Sequence, residues 1–95
     1  MRIEKIKLKD KELEALEFSL GKKNLIVIKG SKGYIMCGYL NLNIANKFKD
    51  VAIKVVGVTR IEDVLNTKVY AISREAKKLG INKGESISDV LKIIA

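Results

Sequence analysis

"LIVIKGSKGYIMCGYLNL", residues Leu25 to Leu42, joins two apolar runs through four residues, Gly30-Ser31-Lys32-Gly33, and carries the only cysteine of the chain, Cys37. Two readings compete for it. A Gly-x-x-Gly loop can grip a nucleic-acid backbone, but in the module that does so the loop joins two helices. A phosphate-binding P-loop needs Lys followed by Ser or Thr ahead of a helix, and here Lys32 is followed by Gly33. Continuous apolar runs on both sides of a short Gly-bounded loop describe a β-hairpin, with the glycines expected to supply positive φ. The hairpin reading prevails.

Alternation along its strands then constrains the assembly. Leu25 and Val27 point one way and Ile26 and Ile28 the other. Tyr34, Met36 and Gly38 likewise oppose Ile35, Cys37 and Tyr39. Both faces are apolar, while a chain of 95 residues has helices enough for one. Burying four such side chains is worth about 1.5–3 kcal/mol each, which predicts a homo-oligomer, a closed dimer or tetramer, built on this sheet. The rival arrangement is a sandwich in which the amino-terminal strands cover that face within one chain.

Upstream, Ile6 and Leu8 alternate with lysines, a half-buried strand. Leu13 to Leu20 reads as a second strand ended by Gly21 and two lysines. Downstream the pattern turns helical. Leu42, Ala45 and Phe48 predict a short helix, and Val51 to Val58 a strand. Thr59 with Glu62 three residues later predicts a capping box. Val69, Ile72, Ala76 and Leu79 predict one helical face stopped at Gly80, with Ile81 completing a Schellman ending. Ser86 opens a last helix burying Ile87, Val90, Leu91 and Ile94. The expectation is one α+β domain over 1–95: an antiparallel meander over 1–42, which also carries the oligomer contacts, then 43–95, mainly helical with one strand.

At 47% hydrophobic and 32% charged the composition is that of a folded domain. Abundant Ile and Lys without Pro or Trp fits a low-GC or heat-adapted source. One Cys and no His exclude a disulfide within the chain and a zinc cluster. No cofactor or metal is expected. Charges interrupt the first eleven residues, unlike a signal peptide, and no uncharged stretch reaches the ~20 residues of a membrane span. A cytoplasmic protein is expected. The formal net charge of +8 comes almost wholly from dispersed lysines, with three arginines, Arg2, Arg60 and Arg74. Dispersion without interleaved aromatics argues against a nucleic-acid surface and for generic solubility.

Three places carry residues fit for chemistry. Cys37 is a candidate nucleophile or redox sensor, yet a catalytic thiol ordinarily has a basic partner such as His. Amid Ile, Met and Tyr it also reads as a small buried hydrophobe. Gly57, Thr59 and Arg60, in "VVGVTR", stand where a strand meets a helix and can hold a small anion. No carboxylate pair presents itself for acid–base catalysis.

Together "GYIMCG" (33–38), "VVGVTRIEDVLN" and "LGINKGESISDVL" resemble the YunC-like family of bacterial and archaeal domains of unknown function, from about Leu13 to Ile93. The resemblance implies an α+β domain whose amino-terminal β region mediates tetramerisation. It singles out Gly33, Tyr34, Cys37, Gly38, Gly57 and Gly80 as motif positions and implies no catalytic residue. Tyr34, Cys37 and Gly38 thereby join Gly57, Thr59 and Arg60 as candidate ligand contacts. The leading expectation is an oligomeric structural or small-ligand-binding module. A Cys37-dependent enzyme or sensor and a weak nucleic-acid binder acting through the lysines are the alternatives.

Overall fold

A computed structural model describes all residues, Met1–Ala95. Six strands form one sheet in the order β1-β2-β3-β4-β5-β6. They are β1 (Arg2–Leu8), β2 (Lys11–Leu20), β3 (Lys23–Lys29), β4 (Tyr34–Met36), β5 (Ala52–Lys54) and β6 (Ala71–Ile72). β1 to β4 are the expected antiparallel meander, with Leu16 opposite both Ile3 and Val27, and Ile28 opposite Ile35. β5 then joins β4 in parallel, Ile35 beside Ile53. Parallel neighbours need a crossover of a dozen or more residues, and α1 (Leu42–Lys47) supplies it.

Register divides the sheet into two unlike faces. One presents Leu13, Ala15, Ile26, Ile28, Ile35, Cys37, Ile53 and Val55, all buried. Onto it pack α2 (Ile61–Leu65), α3 (Arg74–Lys78) and α4 (Ile87–Ile94), through Ile61, Val64, Ala76, Ile87, Val90, Leu91 and Ile94. The other face is covered only at β4–β5, where Leu40 and Ala45 around α1 meet Ala52. Across β1–β3 it stays open, and Ile3, Phe18 and Leu20 are 63%, 42% and 42% exposed. The amino-terminal strands thus extend the sheet instead of folding over it, which removes the single-chain sandwich.

Several local expectations are corrected. The strand expected from Tyr34 to Leu42 ends at Met36, because Cys37 to Leu40 turn back, the Leu40 amide donating to the Cys37 carbonyl. The strand expected over Val51 to Val58 is three residues long. The long helix through Val69, Ile72, Ala76 and Leu79 does not form. Ile72 pairs with Ile53 in β6, and Ser73 opens the short α3 by accepting from the Ala76 amide. Leu79, expected on its buried face, is exposed, although Gly80 (φ +90°) and Ile81 complete the Schellman ending through Lys77 and Ala76 carbonyls. α2 begins one residue later than expected: Arg60 is the N-cap, and Asp63, not Glu62, is the acid that folds back.

The opening loop is settled by packing. Neither Gly30 nor Gly33 has positive φ, contrary to expectation. A Cβ on Gly30 would lie 2.2 Å from the Ile94 carbonyl oxygen, and one on Gly33 2.6 Å from Val51. The Lys32 amide donates to that same Ile94 oxygen at 2.8 Å. The glycines let α4 and the β5 entry press against the loop.

Candidate functional site

Parallel pairing of β4 and β5 brings their carboxyl ends side by side, the position where open α/β sheets place ligand crevices. A pocket of about 550 Å³ lies there, within the size range of small-molecule sites. Cys37, Gly38 and Tyr39 following β4 form one wall, and Val56 to Thr59 following β5 another. Lys22 in the β2–β3 turn and Lys23 and Asn24 at the start of β3 close it. No carboxylate lines it.

Each wall is fixed from behind. The Cys37 amide donates to the Ile26 carbonyl at 3.1 Å, and its Sγ accepts from the Ile26 amide at 3.4 Å. The thiol donates to the Asn24 carbonyl at 3.6 Å. Cys37 is 4% exposed, a wall atom held by its own strand neighbours. Asn24 Nδ2 donates to the Thr59 carbonyl at 2.7 Å, latching the β5 loop to β3. Glu17 Oε1 accepts from the Ile61 amide at 3.0 Å. The Asp63 carboxylate accepts from the Thr59 amide, the Thr59 hydroxyl and the Arg60 amide at 2.9–3.1 Å. The strand-to-helix junction therefore already holds an anion of its own chain, and the Arg60 side chain does not line the pocket.

What remains free lies just before it. The amides of Gly38, Tyr39, Val56, Gly57 and Val58 donate to no protein acceptor. All five residues line the pocket. Neither Gly38 nor Gly57 would bring an added Cβ within 4 Å of another group, and Gly57 has φ +71°. Unspent amides, two ammonium groups and walls made by Val56, Val58 and Tyr39 suit a small anion with an apolar part.

Of the candidate residues, Cys37, Gly38, Gly57 and Thr59 share this pocket, and Arg60 and Tyr34 lie outside it. Tyr34 instead donates its hydroxyl to Asp50 at 2.9 Å, and burial with that carboxylate pushes its pKa up to about 12. Lys22, Lys23, Asn24, Tyr39, Val56 and Val58 were missed. The only signal for them is the lysine pair after Gly21, which reads equally as a turn.

The acid pair behind the junction titrates low. Hydrogen bonding to Arg2 holds Glu62 down at about 2. The Thr59 amide and hydroxyl hold Asp63 below the ordinary carboxylate range. A depressed carboxylate contributes stability that is complete above its unfolded value, about 4, and lost as pH falls through the folded value. Acid unfolding followed by circular dichroism should therefore show stability falling from near pH 4 toward pH 2. Arg2→Ala should move that loss to higher pH, and an unchanged acid midpoint would refute the linkage.

One six-stranded sheet, with helices over both faces of its parallel pair and a basic crevice at that pair's carboxyl ends, defines a small α+β domain. The chain belongs to the family described as Domain of unknown function (DUF1805), whose model matches residues 36–94. Uncharacterized protein YunC of Bacillus subtilis (strain 168) is 32% identical over 90 residues, spanning 90% of this chain and 89% of that protein. The crystal structure of a protein of unknown function, TA1206 from Thermoplasma acidophilum, superposes with a TM-score of 0.94 at 41% identity. That alignment covers 99% of this chain and 92% of the other. No helix is long and apolar enough to cross a membrane.

Proposed function

We propose that the protein is a self-assembling binding module whose pocket takes a small anionic ligand with an apolar portion. The observation that carries this reading is that five residues with unpartnered amides line the same pocket as Lys22 and Lys23, where no carboxylate is present. Cys37 contributes shape: its sulfur is engaged by Ile26 and Asn24, which favours binding over thiol chemistry.

Gly38→Ala tests the pocket without disturbing the fold, since a Cβ there meets nothing within 4 Å and φ is not positive. In a thermal-shift screen of carboxylates and phosphate esters, a hit on the native protein should be lost in Gly38→Ala and in Lys22→Gln/Lys23→Gln. Unmodified melting curves across the whole screen, or hits indifferent to both variants, overturn the reading.

Assembly is proposed through the open face of β1–β3. Ile3, Leu16, Phe18, Leu20, Leu25 and Val27 share that face by register and none is fully buried, an apolar surface of the kind that marks an interface. Sedimentation equilibrium at micromolar concentration should give a closed oligomer, and Leu16→Lys/Phe18→Lys should give folded monomer. A native monomer at that concentration removes the proposal.

A further inference from the structure

At the opposite end of β2 from the pocket, the β1–β2 turn and α4 border a second, open hollow of about 510 Å³. Lys7, Lys9, Lys11 and Lys92 line it, with Asp10 as the one acidic side chain. None of the four lysines forms an ion pair. Glu12, opposite Lys7 in the register, is engaged by Lys5 at 3.4 Å instead. Four ammonium groups give the hollow a positive charge that the single Asp10 carboxylate does not offset, which favours an anion there.

Backbone conformation adds an independent observation. Lys9 has φ +48° in a two-residue turn between Leu8 and Lys11. Gly or Asn fills such a position with little strain; a long side chain there is disfavoured. Lys49, at φ +59°, is the one other non-glycine residue so placed, and an outlier of this kind motivates a functional hypothesis. The turn also lies outside residues 36–94 that match the family model.

We infer that this hollow binds the polyphosphate group of a small molecule. Ammonium groups act on phosphate as point charges, and four of them match the several charges of a linear triphosphate. No aromatic side chain lines the hollow for base stacking, so recognition is of the phosphate chain and does not read a base. The inference is independent of the anion pocket, which lies at the other end of the sheet and uses Lys22 and Lys23.

Titration calorimetry with inorganic triphosphate and, separately, a nucleoside triphosphate at physiological salt tests it. One saturable site per chain is expected, with the two ligands within a few-fold of each other. Lys9→Gln/Lys11→Gln/Lys92→Gln, all exposed positions, should weaken binding about tenfold or more, the scale of losing charged hydrogen bonds. Lys22→Gln/Lys23→Gln should leave it unchanged. Lys9→Gly should raise the melting midpoint while weakening triphosphate. No binding at physiological salt overturns the inference, as does binding indifferent to the triple variant. Affinity growing with nucleic-acid length while triphosphate stays silent overturns it in favour of a nucleic-acid surface.

Discussion

Gly30→Ala is expected to destabilise the protein by about 3 kcal/mol, the upper end of what overpacking costs in a close-packed interior. A new methyl would lie 2.2 Å from the Ile94 carbonyl oxygen and 2.7 Å from its carbon. Both are backbone atoms and cannot rotate aside as a flexible side chain would. Relief means moving the end of α4, which carries Ile87, Val90, Leu91 and Ile94 into the core. It also breaks the Lys32 amide bond to the same oxygen. A loss of that size lowers Tm by roughly 12–24 °C in a domain this small. Gly38→Ala is the matched control: the same substitution, in a position with open space, should leave Tm unchanged within about 2 °C. Equal melting temperatures for the two variants would mean that α4 does not seat against the loop.

That contrast also shows where sequence reasoning works. The two glycines of Gly30-Ser31-Lys32-Gly33 marked a hairpin correctly, since the apolar runs on either side are local. Their reason is a contact with α4 and Val51, invisible until those segments are docked. The Schellman ending at Gly80 and the buried face of α4 were legible for the same local reason. The helix expected through Val69 and Leu79 failed because helical spacing was matched by residues in unlike settings. Val69 is buried beside the Glu85 carbonyl, Ile72 lies in a strand edge, and Leu79 is solvated. The pocket fared similarly. Cys37 and Gly57 could each be singled out, but as separate ideas. Their meeting depends on β5 lying parallel to β4 and on a turn that delivers Lys22 and Lys23 from another hairpin. Alternation within one strand does not encode which strand becomes its neighbour.

Ser73→Ala should cost about as much as Gly30→Ala, through hydrogen bonds where the other acts through sterics. Ser73 is the only buried polar side chain, 1% exposed, and its hydroxyl serves three partners. It donates to the Asp50 carbonyl at 2.7 Å and accepts from the Ala52 amide at 3.0 Å and the Ala76 amide at 3.2 Å. One atom thus closes the entry to β5 and caps α3. Removing it takes away a helix cap, worth about 1 kcal/mol, and strands a donor in the core at about 1–3 kcal/mol. Both amides that lose their acceptor belong to fully buried residues, Ala52 and Ala76. A combined loss of about 3 kcal/mol is expected, read from urea midpoints at one fixed protein concentration so that self-association does not enter. Ser86→Ala supplies the comparison: Ser86 occupies the same position on α4, yet its hydroxyl makes no cap bond and meets only Ser88. That change should stay within about 0.5 kcal/mol. Native-state hydrogen exchange separates the two consequences of Ser73→Ala, with the Ala52 and Ala76 amides accelerating beyond the global change. Should Ser73→Ala lose less than about 1 kcal/mol, the hydroxyl is not the joint between β5 and α3.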